Sequence, residues 1–239
     1  MPQACYDRRM SDAREVYRFH AEDYDALVSC EDRDGQLLRA IRRLRSLQDL
    51  KVVEFGAGTG RVTRQLAPHV RSILAFDSAP AMLAVARRRL AQLGADNVRF
   101  VLADNASVPA KDASVQLAIA GWTYGHQTVW REHAWREPIQ AALREMLRVL
   151  SPGGTALVIE TLGTGHTTPF DPPPGLADYY AMLEREFRFT RSWIRTDYEF
   201  PTQAEGERLV GLFFGEAMAQ RFASSGQRTL PECTGLWTR

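Results

Sequence analysis

Lysine is almost missing from this chain: of 30 basic residues only Lys51 and Lys111 are lysines, and all others are arginines. With 29 acidic residues the formal net charge is +1, so bulk electrostatics gives no argument for nucleic acid or an anionic membrane surface as partner. The arginine excess reads as a bias of coding composition and carries no binding signal. Cysteine is scarce too. Cys5, Cys30 and Cys233 are odd in number and far apart, with no Cys-x-x-Cys pair, so neither a disulfide framework nor a zinc site is expected. No apolar run approaches the roughly 20 residues that a membrane span needs. The first residues, Met1 to Asp7, lack a basic stretch followed by an apolar one, and the cytoplasm is the expected location. Internal repeats and low-complexity segments are absent as well. What remains is a chain of 239 residues, 45% hydrophobic and 25% charged. That is an ordinary soluble, globular composition with enough chain for a sizeable core.

The most specific signal is Val52-Val53-Glu54-Phe55-Gly56-Ala57-Gly58-Thr59-Gly60-Arg61. An apolar strand runs into three glycines spaced two apart, with an acid just ahead of the first. Glycine here lets the backbone turn sharply and lets a ligand approach the main chain. A helix is expected to follow, its first N–H groups suited to a polar or anionic ligand end. A dinucleotide fingerprint needs glycine at the first, third and sixth positions. The sixth position is Arg61, which disfavours a nucleotide-dependent oxidoreductase.

From about Leu50 to Glu160 short apolar runs alternate with longer amphipathic stretches, the pattern of βαβ units on a parallel sheet. Strands are expected at Lys51–Phe55, Ser72–Phe76, Val98–Leu102, Val115–Ala120 and Thr155–Glu160, with helices near Arg61–Leu66, Ala79–Leu93 and Pro138–Leu150. Ser151-Pro152-Gly153-Gly154 is a strong helix stop and turn. Right-handed crossovers make a doubly wound sheet the simplest closure. Two helices are expected between about Ser11 and Leu47, the first carrying Tyr17, His20, Tyr24 and Leu27. After a Gly/Thr/Pro-rich loop at Thr161–Gly175 come a helix, a strand near Ser192–Phe200, a helix near Ala204–Phe222 and a short final strand at Cys233–Arg239.

Glu54-x-Gly56-x-Gly58-x-Gly60 resembles motif I of the class I S-adenosylmethionine (SAM)-dependent methyltransferases. Ile73-Leu74-Ala75-Phe76-Asp77-Ser78-Ala79-Pro80-Ala81-Met82-Leu83 resembles the second-strand signature of that family. Leu102-Ala103-Asp104-Asn105-Ala106 resembles its adenine segment, and Leu143 to Thr155 its element leading into the fifth strand. The resemblance covers about Lys51–Glu160 and is strongest to the small-molecule, ubiquinone/menaquinone-methyltransferase-like branch. It implies an α/β fold: a Rossmann-like, doubly wound, mostly parallel seven-stranded sheet with helices on both faces. N-terminal helices and a cap-like insertion after the fifth strand would be added to it. One domain is expected over 1–239, with a helical cap at about 11–47, a SAM-binding core at about 48–160 and acceptor-side elements at about 161–239.

The resemblance also implies roles for residues. Asp77, about 20 residues past the glycines, would bond the ribose hydroxyls; a cap on the helix starting near Pro80 is its bland alternative. Asp104 would accept from the adenine amino group, with Asn105 or Ala106 offering a backbone N–H, although Asp-Asn pairs also favour plain turns. Met82 would pack on the adenine face, or simply in the core. Glu54 would meet the methionine ammonium, and Gly56, Ala57, Gly58, Gly60, Ser78, Tyr24, Gly121 and Trp122 complete the expected cofactor contacts. Arg61 is expected on the helix surface or in a local pair, away from the ligand.

The segment Ala120-Gly121-Trp122-Thr123-Tyr124-Gly125-His126 departs from the Pro-Pro-Tyr pattern of nucleic-acid amino-group methyltransferases. Transfer from a sulfonium is an in-line displacement in which positioning does most of the work. A base is needed only where the acceptor must lose a proton early. His126 is the favoured base, with Tyr124 beside it and His20 or His166 as alternates; loop packing is the bland reading of Tyr124 and Trp122. Tyr179, Tyr180, Phe187 and Phe189 are expected to line an acceptor pocket. The expected function is methyl transfer from SAM to a small-molecule acceptor, releasing S-adenosylhomocysteine, with no metal, nucleic acid or membrane involved. The alternatives are an RNA or protein methyltransferase using the arginines of Arg39–Arg45 and Arg87–Arg89, and a non-catalytic SAM-binding partner protein.

Overall fold

The computed structural model describes residues 19–131 and 133–239; Cys5, Tyr17 and the start of the first expected helix lie outside them. Helices α1 (Ala21–Ser29) and α2 (Gln36–Leu44) precede β1 (Lys51–Phe55), α3 (Arg61–Leu66), β2 (Ser72–Asp77), α4 (Pro80–Gln92) and β3 (Val98–Leu102). Then come β4 (Val115–Gly121), α5 (Gln127–Trp130), α6 (Arg136–Arg148), β5 (Leu150–Thr164) and α7 (Pro174–Arg185). The chain continues through β6 (Thr190–Arg195), β7 (Tyr198–Glu199), α8 (Gln203–Phe214), α9 (Glu216–Ser225), β8 (Thr229–Leu230) and β9 (Glu232–Thr238).

Seven strands form one sheet in the order β3-β2-β1-β4-β5-β9-β6. The pairs among β1 to β5 are parallel, and β9 runs antiparallel between β5 and β6. Strand residues alternate between two buried faces because successive side chains point to opposite sides of a sheet. Val53, Phe55, Ala118, Ala120 and Val158 enter one apolar cluster, while Val52, Leu117, Ile119, Leu157 and Ile159 enter the other. Both faces are covered, which explains why β1 and β4 read as nearly continuous apolar runs. Order reverses between β1 and β4, so their carboxyl ends diverge and open a crevice, the usual ligand position in such sheets.

The helices follow simple local rules. Pro80 opens α4, where its missing N–H costs nothing, and α6 buries Ile139, Ala142, Leu143 and Met146 along one stripe. Three expectations are corrected. The last long helix is two, because Gly215 (φ 86°, ψ 166°) ends α8 and starts α9. The expected strand near Ser192–Phe200 is β6 plus the separate short β7, which pairs with β8. Strand β5 is longer than expected: the register moves from Val115↔Leu150 to Leu117↔Thr155, so the Pro152-Gly153 turn is an irregularity carried inside the ladder.

Candidate active site

A cavity of about 900 Å³ opens at the carboxyl ends of β1, β2, β3 and β4. Its floor is the glycine loop. Gly56 (φ 64°) cannot carry a side chain, because a Cβ would fall 2.3 Å from Thr123 Cγ2. Thr123 is itself held there, its Oγ1 donating to the carbonyls of Phe55 (3.1 Å) and Gly121 (3.0 Å). Gly60 (φ 80°) meets α4, with Ala86 Cβ 3.3 Å from where its own Cβ would lie. Ala57 N–H donates to Phe76 O at 2.8 Å, tying the loop to β2.

Asp77 ends β2 and accepts from Gly58 N and Ala79 N, both at 2.8 Å. Both readings of this residue therefore meet in one carboxylate: it pins the glycine loop, steadies the entry to α4 and still lines the cavity. Burial pushes its pKa up, opposed by the backbone N–H groups it accepts from. An ionised carboxylate offers about four lone-pair sites, so capacity remains for ligand hydroxyls. Ser78 and Met82 flank it on the cavity wall, Met82 being 2% exposed.

At the end of β3, Asp104 closes a turn, its Oδ1 accepting from Ala106 N at 2.8 Å. The neighbouring Asn105 Oδ1 is buried with no hydrogen-bond partner. In the cavity wall, that orphaned acceptor suits a donor such as an exocyclic amino group, since leaving it unpaired is costly. Glu54 is 2% exposed and accepts from Thr63 Oγ1 at 2.5 Å. Burial pushes its pKa up to about 8, so a cationic group beside it would restore its charge. Tyr24 of α1 joins the wall, its hydroxyl pKa pushed up to about 12 by burial, a neutral donor at ordinary pH.

After β4 the chain turns abruptly at Trp122 (φ 49°), whose N–H donates to Ile159 O at 2.7 Å. Trp122, Gln127 and Trp130 line the cavity too, as do Arg131 and Glu137. That turn redirects the residues expected to face the acceptor. Tyr124 is fully buried in the core, its hydroxyl pKa raised well above the usual range by burial. His126 stacks on Trp130 at 5.5 Å, and burial pushes its pKa down to about 4, making it a weak base. His20 is exposed on the surface beside Asp23, Nδ1 to Oδ2 3.3 Å. None of the three lines the cavity. Likewise Tyr179, Tyr180, Phe187 and Phe189 belong to the core cluster, and His166 packs on Phe170.

Arg61 was expected away from the ligand, yet it is 8% exposed and lines the cavity, its guanidinium 3.6 Å from the Trp122 ring centroid. Gln127 and Trp130 were also missed. A polar residue at the first turn of the helix after the glycines and an aromatic-rich segment after β4 are the signals that would have pointed to them.

The methyltransferase domain family matches residues 52–154. A demethylmenaquinone methyltransferase of Clavibacter sepedonicus is 32% identical over 228 residues, 90% of this chain and 78% of that protein. The chain belongs to the class I SAM-dependent methyltransferases. A demethylmenaquinone methyltransferase of Lactococcus lactis is 25% identical over 168 residues, 66% of this chain. This methyltransferase chain spans 63% of that relative's length and 49% of the next curated relative's. Among solved structures, the YcgJ protein of Bacillus subtilis aligns with a TM-score of 0.56 at 17% identity, covering 85% of this chain and 97% of that one. The residues in the wall fit the methyl donor of this family: a carboxylate at the end of β2, an orphaned acceptor after β3 and a buried acid ahead of the glycine loop.

Proposed function

We propose that the protein transfers the methyl group of SAM to a small-molecule acceptor and releases S-adenosylhomocysteine. The observation that carries this reading is one continuous cavity joining Asp77, Asn105 and Glu54 to the wall of Trp122, Gln127 and Trp130. SAM, when bound, supplies a methyl carbon on a sulfonium, whose departure allows direct in-line displacement. The chain's part is to bind and align. Asp77 grips hydroxyls, the glycine loop gives backbone access, and Trp122 and Trp130 provide apolar walls that keep water out while Gln127 offers an amide. The described cavity wall contains no histidine, and the proposal calls on no protein base.

Transfer to RNA finds less support. Of the expected basic surface, Arg88 pairs with Glu22, Arg89 with Asp25 (2.6 Å), and Arg45 donates to Gln116 O (2.6 Å). These guanidinium groups already serve the fold.

Calorimetric titration with S-adenosylhomocysteine and a labelled-SAM assay on a metabolite extract test the proposal. Binding with label transfer to a small molecule is expected; label appearing only in RNA or protein, or no binding, would sink it. Asp77→Ala should weaken cofactor binding by about 1–3 kcal/mol, the usual cost of removing hydrogen bonds to a charged group. An unchanged affinity would take Asp77 out of the site.

A further inference from the structure

A third apolar cluster stands apart from the two that cover the sheet. Leu27 of α1, Tyr198 of β7, Leu209 of α8, Phe222 of α9 and Leu230 of β8 belong to it. The stretch after α1 is fastened to β7. Glu199 N donates to Cys30 O (2.8 Å), Asp32 N donates to Asp197 O (3.1 Å), and Glu31 pairs with Tyr198 in a single antiparallel bridge. Glu31 sits in this seam with its side chain fully buried, yet it does not line the cavity.

From Glu31 a run of short contacts leads to the cavity wall. Its Oε1 lies 2.7 Å from Arg61 Nη2 and accepts from Thr196 Oγ1 at 2.8 Å. Thr196 Oγ1 is in turn 2.5 Å from Thr234 Oγ1 of β9, which anchors the carboxylate to the sheet. The Arg61 guanidinium stands 3.6 Å from the Trp122 ring centroid, and both residues line the cavity. A second acid, Glu232, accepts from Thr161 Oγ1 at 2.7 Å, and burial together with the neighbouring Glu31 pushes its pKa up, favouring the neutral form. Glu31 and Glu232 each keep a buried carboxylate oxygen without a hydrogen bond, so Arg61 has acid to answer it and calls for no further anion. Trp122 needs the support. Its φ of 49° is sparsely populated for a residue with a side chain, and such backbone persists where its surroundings over-determine it. The hydrogen bond to Ile159 O holds the backbone; the planar guanidinium, oriented by Glu31, holds the ring.

We infer that Glu31 is a positioning residue: through Arg61 it fixes the Trp122 indole as a wall of the cavity, and so couples the third apolar cluster to ligand binding. The choice of ligand for its test rests on the reading of the cavity as a SAM site. The competing role is a purely structural one, in which Glu31 neutralises a buried guanidinium and leaves the shape of the cavity to other groups.

A double-mutant cycle separates these roles, because only the positioning role runs through Trp122. Glu31→Ala is made in the wild type and in Trp122→Leu, which keeps an apolar wall but has no indole to stack. Two readouts are taken, calorimetric titration with S-adenosylhomocysteine and near-UV circular dichroism of the ligand-free protein, which reports fixed aromatic packing. In the wild-type background Glu31→Ala should weaken binding roughly tenfold, within the range of coupling between contacting residues, and alter the indole bands. In the Trp122→Leu background it should cost less than about twofold, the scatter of independent sites, and leave the spectrum unchanged. Equal effects in both backgrounds, or no effect in either, would overturn the inference in favour of the structural role. A wild type that does not bind S-adenosylhomocysteine would overturn the SAM reading, and the spectra would still decide whether Glu31 orders the indole. Where Glu31→Ala fails to fold because Arg61 has lost its partner, Glu31→Gln keeps a carbonyl acceptor for Thr196 and enters the same cycle.

Discussion

Glu54 shows how one residue couples the sheet to the cavity. It sits on β1 between two parallel neighbours, so its side chain is removed from water by the fold before any ligand arrives. Burial holds its carboxyl pKa at about 8 even with Thr63 donating to it. Near pH 7 most of the ligand-free protein therefore carries Glu54 protonated. A methionine ammonium favours the ionised form, because an opposite charge close by lowers a carboxyl pKa. Binding of S-adenosylhomocysteine at pH 7 is expected to release up to one proton from this residue, and Glu54→Gln should abolish that release. Calorimetry in two buffers of different ionisation enthalpy measures it directly; a proton count near zero in the wild type would show Glu54 already charged. At this scale the sequence was legible where the backbone sets the position. Asp77 and the three glycines occupy strand ends whose geometry is local. Tyr124 and His126 were not legible, because a single left-handed residue, Trp122, reverses the direction in which the following side chains point.

Among the elements, β5 has a second job beyond completing the sheet. Glu160, 3% exposed, accepts through Oε1 from Tyr124 N (3.1 Å), Gly125 N (2.9 Å) and Tyr179 Oη (3.3 Å). One carboxylate thus joins β5, the loop after β4 and α7, and it holds the segment that carries Trp122 and Gln127 into the cavity. Glu160→Ala strands two buried amides and should cost about 2–4 kcal/mol of stability, at about 1–3 kcal/mol for each unsatisfied group with partial relaxation. Glu160→Gln keeps a carbonyl acceptor and should cost markedly less. Denaturant midpoints distinguish the two, and a glutamine variant as damaged as the alanine one would show that charge, rather than acceptance from the amides, is what the loop requires. The five parallel strands and the helices α3, α4 and α6 were readable because alternation of apolar runs with amphipathic stretches reports local periodicity, whereas the short α5 was not expected. The division of α8 from α9 was hidden because Gly215 inside an amphipathic pattern does not reveal its left-handed backbone. The antiparallel place of β9 was hidden too, since that pairing depends on contacts some 70 residues away in the chain, such as Thr161↔Thr234.

For the whole molecule, buried acids add up to a pH signature. Burial pushes the carboxyl pKa of Glu54 to about 8 and of Glu160 to about 7, against an ordinary value near 4.5, and burial together with the neighbouring Glu31 pushes that of Glu232 up as well. Between about pH 4.5 and 8 the folded state therefore binds more protons than the unfolded chain, and stability falls as pH rises through that window. The imidazole of His126 works in the opposite direction, with smaller contributions from His69 and His166. Desolvation lowers their pKa, to about 4 for His126, so the folded state binds fewer protons and stability rises with pH through about 6.5, the effect fading by about pH 7.5 as the unfolded side chains finish titrating. Surface carboxylates held low by arginine, such as Asp23 and Glu205 beside Arg208, have delivered their contribution by about pH 4.5. From about pH 7 to 8 the histidine contribution fades, the buried acids dominate, and the sign is single. The ligand-free protein is expected to lose thermal stability steadily across that interval, and the double variant Glu54→Gln, Glu232→Gln should show a flatter profile. Melting temperatures at pH 7, 7.5 and 8 in matched ionic strength test this. A flat or rising wild-type profile would mean that these carboxyls are ionised in the folded protein, and that the acid at the glycine loop waits for the cofactor already charged.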